Sequence, residues 1–176
     1  MANTSAADSS APISGVAGFG ARAVFDEARA ATIIAEHAGR PGAMLPMLHA
    51  IQAAFGCVPE AVKPMIAAAL NLSRAEVHGV VSFYHDFRAA PAGRHVIKVC
   101  RAEACQSMGS ETLHRGVLDR LGIALGETTR DGQVTVEAVY CLGLCATAPA
   151  ALVDGRPVGR LTAQRLEGLV REAILA

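Results

Sequence analysis

The apolar residues of this chain change their period at Ala90-Pro91-Ala92-Gly93, and that change limits the fold more than any other feature. Before it, apolar side chains recur every three or four residues, as on the buried face of a helix; after it, short alternating runs appear, as in strands. A chain of 176 residues divided there has room for a helical half and a mixed half sharing a substantial core. The composition, 52% apolar and only 18% charged, supplies that core and excludes a disordered polyelectrolyte.

Four helices are expected before the change. The first runs from Val24 to His37 and stops at Gly39 and Pro41; the second runs from Pro46 to Phe55, with Leu45, Leu48, Ile51 and Phe55 on one face and Gly56 closing it. Pro59-Glu60 opens the third, whose stripe is Val62, Met65, Ile66, Ala69 and Leu70, with a kinked start at Pro64. Ser73 and Glu76 form a capping box ahead of Val77, Val80, Val81 and Phe83, giving a fourth helix that reaches Phe87.

After the change, His95–Val99 reads as a strand ending at Cys100, Ser110–Leu121 as a helix with Leu113, Val117, Leu118 and Leu121 inward, and Gln133–Tyr140 as a strand ending at Cys141. Ala150–Val153 and Arg156–Gly159 flank Asp154-Gly155, a pair suited to a type I′ hairpin turn. Thr162 caps a last helix, Gln164–Ile174, with Leu166, Leu169, Val170 and Ile174 inward. The expected fold is therefore α+β: a four-helix bundle, then a four-stranded mixed sheet with two helices packed on it, an order that suits a thioredoxin-like fold. The expected divisions are a flexible segment over residues 1–20, a helical domain over 21–90 and a sheet domain over 91–176.

Several function classes fall away on composition. Sixteen basic residues balance sixteen acidic ones, leaving no field to gather nucleic acid or an anionic membrane. The longest uncharged stretch, Pro41 to Pro59, contains three prolines, two glycines, His49 and Gln52, and reads as core rather than a membrane span. The opening residues have no basic residue before Arg22 and no continuous apolar run, so neither a secretory signal nor a transit peptide is expected, and cytoplasmic residence follows.

Five cysteines then point to chemistry: Cys57 alone, Cys100-x4-Cys105, and Cys141-x3-Cys145 after thirty-five intervening residues. In a reducing compartment such clusters bind metal or do redox work more often than they form disulfides. A structural zinc site is compatible with the spacing, although tighter knuckles are the usual signature. A plant-type ferredoxin needs a cysteine at position 108, where Met108 stands, and the bacterial C-x2-C run is absent. Neither pair has the C-x-x-C spacing of a thiol-disulfide oxidoreductase. Each pair starts just after a strand, where α/β folds place ligands, and two pairs suit a 2Fe-2S rhomb with two thiolates on each iron.

Four blocks together, Phe55-Gly56-Cys57-Val58-Pro59-Glu60, Val77-His78-Gly79-Val80-Val81-Ser82-Phe83-Tyr84, Cys100-Arg101-Ala102-Glu103-Ala104-Cys105 and Cys141-Leu142-Gly143-Leu144-Cys145-Ala146-Thr147-Ala148-Pro149, closely resemble the thioredoxin-like 2Fe-2S subunit shared by respiratory complex I, NAD-reducing hydrogenases and NAD-dependent formate dehydrogenases. The resemblance spans roughly residues 25 to 175 in the family's order. It implies one 2Fe-2S cluster on Cys100, Cys105, Cys141 and Cys145, and a direct partner that binds FMN and NAD. The wording Cys-Arg-Ala-Glu-Ala-Cys-Gln-Ser-Met-Gly from Cys100 to Gly109 is most similar to the gamma subunit of a soluble formate dehydrogenase. That likeness implies a catalytic molybdenum or tungsten subunit and further iron-sulfur clusters in the same complex. The equivalent subunit of a hydrogenase or of complex I is the alternative, and a structural zinc-binding interaction module is the alternative of another class. Cys57 departs from the family, which usually has an aromatic residue there, and reads as a buried core thiol.

The remaining residues fit an electron carrier and not a whole enzyme. A 2Fe-2S cluster moves one electron at a time, whereas formate oxidation and NAD reduction move two, so the flavin and nicotinamide chemistry belongs to another subunit. The chain has no G-x-G-x-x-G (Gly15, Gly18 and Gly20 are misplaced), no Walker motif, no H-E-x-x-H and no G-x-S-x-G. Lys98 and Arg101 bracket the first ligand and are expected either to stabilise cluster charge or to be solvated surface charges; Gly109 and Gly143 are expected to let backbone approach the sulfurs. The helical half is expected to be a docking platform. His78 and His85, seven apart, share an expected helix face, and His49, His95 and His114 show no paired metal spacing.

Overall fold

A computed structural model describes residues 25–175, so the expected lead-in over 1–20 and the expected helix start at Val24 lie outside the described residues. Helix α1 (Glu27–Ala38) starts where the Asp26 carboxylate accepts the Arg29 N–H at 3.1 Å, and α2 (Met44–Phe55) ends at Gly56, whose φ of 77° is the left-handed cap a glycine adopts at least cost. Helix α3 (Val62–Leu70) ends at Asn71, also left-handed, and α4 (Arg74–Phe83) starts with the expected capping box between Ser73 and Glu76. Pro46 and Pro64 each fall on the third residue of their helix, where the missing N–H has no partner to lose, so Pro64 does not interrupt α3.

Ala30, Met47, Leu48, Ile51, Val62, Ile66 and Val77 are fully buried in one cluster that unites these four helices. The face of α3 is rotated from the expected stripe: Lys63 and Ala67 are buried while Ala69 is exposed. Lys63 turns inward because its ammonium donates to Glu60 at 2.5 Å and to His78 of α4 at 3.3 Å, which satisfies the charge as its stem covers apolar surface. Helix α4 stops at Phe83 and not at Phe87, because Gln52 captures the next segment, donating to the Asp86 carbonyl and accepting from the Arg88 N–H, both at 2.7 Å. Phe87 is then buried beside the His49 ring, 5.0 Å away, while Phe83 stays 72% exposed. His85 consequently lies beyond the helix that was expected to carry it.

The second half has strand β1 (His95–Cys100), a short helix α5 (Glu103–Ser107), helix α6 (Ser110–Leu121), strands β2 (Val134–Val139), β3 (Ala151–Val153) and β4 (Arg156–Val158), and helix α7 (Ala163–Leu175). The sheet order is β2-β1-β3-β4, with β1 parallel to β2 and the other two pairs antiparallel, which makes it a mixed α/β structure with a four-stranded mixed sheet and, among the described residues, seven α-helices. Asp154 and Gly155, at φ 50° and 79°, make the expected hairpin turn. Helix α7 turns Ala173 inward and leaves Ile174 exposed, against expectation.

Alternation along β1 separates the two faces of the sheet. Ile97 and Val99 join Val136, Ala151 and Val153 under Val117 of α6 and Leu166 and Val170 of α7. Lys98 and Cys100 point the other way, where Glu137 of β2 receives Arg88 in a two-point ion pair at 2.6 and 3.0 Å, and Thr135 accepts the Gly93 N–H at 2.7 Å. The segment between the helical half and the sheet is thus pinned across the face that carries Cys100. No helix among the described residues is long and apolar enough to cross a membrane.

Candidate metal centre

Parallel pairing of β1 and β2 brings both cysteine loops to one edge of the sheet. Cys100 is the last residue of β1 and Cys141 stands two residues after β2, so both loops leave the carboxyl ends of neighbouring parallel strands. Cys105 follows on α5, a helix the sequence did not announce because five residues are too few to show a period. Cys145 opens a single 3-10 turn, Cys145–Thr147, ahead of a cis Ala148–Pro149 bond.

The thiols stand as two unequal pairs. Cys100 and Cys105 are buried, at 2% and 3% exposure, against Ala150, Leu142, Leu144 and Ala148. Cys141 and Cys145 are exposed, with sulfurs 3.7 Å apart. Two ligands on one tetrahedral metal, bonded at about 2.3 Å, are separated by about 3.8 Å, so this pair already has the spacing of ligands to one ion. No three metal-ligating side chains converge on one point among the described residues. The spacing of Cys141 and Cys145 fits two thiolates on one metal, as a 2Fe-2S rhomb with one iron per pair and a tetrahedral zinc both require.

Backbone N–H groups gather around the sulfurs. Cys141 has φ 72°, a left-handed conformation that costs a non-glycine residue about 1–2 kcal/mol, and Gly143 follows at φ 74°. This turn directs the N–H of Gly143 at Cys141 Sγ, 3.4 Å away. Burial pushes the Cys100 thiol up, but N–H groups of Ala102, Cys141 and Leu142 and the Cys105 thiol outweigh it and leave Cys100 below the ordinary cysteine value. Cys105 is pushed up by burial and then by its hydrogen bond to Cys100. Cys145 is pushed up chiefly by its hydrogen bond to Cys141 and the charge there. A shared proton held back within a pair of thiols is what a cation displaces on binding.

Lys98 and Arg101 do not supply free positive charge to this site. Lys98 is held by Asp86 at 2.6 Å and Glu137 at 3.6 Å, and Arg101 by Glu111 at 2.7 Å. Negative charge on the sulfurs is met instead by backbone N–H groups, which the side-chain pattern does not reveal. Gly109 and Gly143 have open space where a Cβ would stand, so their positive φ calls for glycine; the backbone approaches sulfur, as expected, at Gly143. Cys57 is buried, 6% exposed, in the helical half, and burial pushes its thiol up. Among the histidines, His95 contacts Asp154 at 2.9 Å and His114 is buried, and none joins the thiols.

The model of the family "Thioredoxin-like [2Fe-2S] ferredoxin" matches residues 30–173. The chain is 32% identical over 133 residues to the NADP-reducing hydrogenase subunit HndA of Solidesulfovibrio fructosivorans, covering 76% of this chain and 78% of that one. It is 38% identical over 134 residues to NADH-quinone oxidoreductase subunit 2 of Thermus thermophilus, covering 75% and 74%. Among solved structures, an NAD+-reducing [NiFe]-hydrogenase in the air-oxidized state superposes with a TM-score of 0.63 at 28% identity; the match covers 75% of this chain and 23% of the hydrogenase chain.

Proposed function

The chain belongs to the thioredoxin-like [2Fe-2S] ferredoxin family, and from that premise we propose that it is an electron-transfer subunit holding one 2Fe-2S cluster on Cys100, Cys105, Cys141 and Cys145. The observation that carries this reading is the pairing of the thiols at the ends of adjacent parallel strands, with Cys141 and Cys145 3.7 Å apart. When bound, the cluster supplies reversible one-electron chemistry. The chain's own part is to present two thiolates to each metal, direct the N–H groups of Ala102, Leu142 and Gly143 at the sulfurs, and keep water from the inner pair by burying it under Ala150 and Leu144.

The electron partner in this reading is a flavoprotein subunit that binds FMN and NAD, in keeping with relatives that are subunits of an NADP-reducing hydrogenase and of NADH-quinone oxidoreductases. The particular complex is a NAD-dependent formate dehydrogenase with a molybdenum or tungsten catalytic subunit; the Cys100–Gly109 wording supports it. The helices over 21–90 act as the docking domain and residues 91–176 as the cluster domain, located in the cytoplasm. The distinct core shared by α1–α4 supports that division.

The test is electron paramagnetic resonance with iron and zinc analysis on anaerobically purified, dithionite-reduced protein. The expected result is a rhombic spin-half signal with two irons per chain. One zinc, no iron and no signal overturns the electron-carrier reading and leaves a structural zinc module. Formate-dependent NAD reduction by the complex that copurifies with the chain tests the finer assignment; hydrogen-dependent reduction in its place overturns it.

A further inference from the structure

Strand β2 is an edge of the sheet, and only half of that edge is covered. Its odd-numbered residues bond toward β1: Gln133 accepts from the His95 N–H at 2.8 Å and Val139 from the Arg101 N–H at 2.9 Å. The even-numbered residues face outward. A folded-back segment satisfies the first of them, Thr129 donating to Val134 at 2.9 Å, Val136 donating to Glu127 at 3.3 Å and Gly126 donating to Val136 at 2.7 Å. At Gly126, φ 89°, the covering segment turns away. The outward N–H and C=O of Ala138 and Tyr140 then have no backbone partner among the described residues.

Beside this open end lies a groove of about 860 Å³, lined by Phe83, Tyr84, Leu125, Ala138 and Tyr140. Phe83, Tyr84 and Tyr140 are 72%, 43% and 71% exposed, a concentration of aromatic surface unusual in a chain with only 4% aromatic residues. The acidic and basic side chains around the groove are already paired, Arg88 with Glu137 and Asp86 with Lys98. An occupant is thus offered main-chain hydrogen bonds, aromatic faces and the exposed His85 imidazole, but no unpaired carboxylate, ammonium or guanidinium. Unpaired edge groups recruit a strand, and the balanced charge selects an uncharged one.

We propose that the open end of β2, Ala138–Tyr140, with the rings of Phe83, Tyr84 and Tyr140, is the docking site for an uncharged extended strand of the subunit that exchanges electrons with this chain. The proposal rests on the electron-carrier reading and deepens it by placing the contact. Tyr140 directly precedes Cys141, so a strand seated there ends beside Cys141 and Cys145, the exposed thiol pair. The partner's own redox group is thereby brought to the side of the site where the protein covers it least.

The experiment uses the full complex purified anaerobically through a tag on this chain, compared with the isolated, cluster-loaded chain. Hydrogen exchange at the Ala138 and Tyr140 amides is expected to slow at least about tenfold in the complex, while Val136, already bonded to Glu127, is unchanged. Ala138→Pro removes an outward N–H without touching the bonds to β1, and is expected to weaken retention of the flavin-bearing subunit by at least about tenfold with iron content and the resonance signal intact. Phe83→Lys, at an exposed position at the end of α4 and outside β2, is expected to act in the same direction and guards against misfolding of the proline variant. A flavin-bearing partner present with unchanged exchange at both amides overturns this proposal alone. Protection already present in the isolated chain, with a dimer by light scattering, assigns the edge to a second copy and also overturns it. Loss of iron and signal in the unmodified chain overturns the electron-carrier reading first.

Discussion

Gly159 closes the contact between the hairpin and the second cysteine loop, and a single methyl group there tests whether that contact sets the geometry of Cys145. A Cβ at position 159 would stand 2.8 Å from Thr147 Cβ and 2.9 Å from the Thr147 carbonyl oxygen, and closer still to its hydroxyl. Non-bonded carbons rest about 3.5 Å apart, so the two segments must separate by about 0.7 Å. Thr147 has little freedom to yield, because its carbonyl accepts the Arg160 N–H at 2.6 Å and it closes the turn that starts at Cys145. Overpacking of this kind costs about 1–3 kcal/mol, and for a chain of this length about 2 kcal/mol lowers Tm by roughly 4–8 °C. We therefore expect Gly159→Ala to melt earlier by calorimetry and to release iron faster to a chelator, both more than Gly168→Ala, whose added methyl meets nothing within 4 Å. Thr147→Ala in the Gly159→Ala background is expected to recover part of both losses, since it removes the closest atom. A Gly159→Ala protein with unchanged melting and iron retention would refute the reasoning.

Other expectations follow from the same contacts. Cys105→Ala is expected to abolish the cluster signal, whereas Cys57→Ala, in the helical core, leaves it unchanged and costs about 1 kcal/mol by urea denaturation; equal loss of signal in both would undo the ligand assignment. Glu137→Leu leaves the half-buried Arg88 without its counter-charge and is expected to cost about 2–3 kcal/mol, while the Arg88→Met, Glu137→Leu double variant costs less than either of its single changes; additive losses in this double-mutant cycle would argue against the pair. His114 is held below the ordinary imidazole value by burial, with Glu111 opposing and Arg101 adding to the shift, and its Nδ1 has no partner. The unfolded chain therefore takes up this proton first, so the stability His114 confers is full above about pH 6.5 and declines as pH falls toward its folded value. His114→Leu is expected to flatten that part of the pH profile of Tm, and an unchanged slope would count against it.

Much of this molecule was legible before folding because the signals are local. Ser73 and Glu76 sit three residues apart, Asp154-Gly155 is a dipeptide, and the cysteines of the two pairs stand five and four residues apart, so caps, hairpin and candidate ligands are read from neighbours in the chain. Short-range patterns also placed the ends of β1 and α6. The features that were misjudged depend on partners far away in sequence. Helix α4 ends early because Gln52, more than thirty residues back, competes for the backbone of Asp86 and Arg88. Lys98 and Arg101 were open to two readings, cluster charge or solvated surface, until folding supplied Asp86, Glu137 and Glu111 as partners. The face of α3 turned because Glu60 and His78 give Lys63 a reason to be buried.

The amino-acid sequence alone determined that this chain has a helical half, a small mixed sheet and four thiols in two pairs, since periodicity, caps and spacing are properties of adjacent residues. Only the tertiary structure decided which pair is buried, which backbone N–H groups face the sulfurs, and which stretch of β2 is left open. Those outcomes depend on how separate segments pack and on which distant group satisfies each charge and each backbone donor, and a linear pattern does not carry that information.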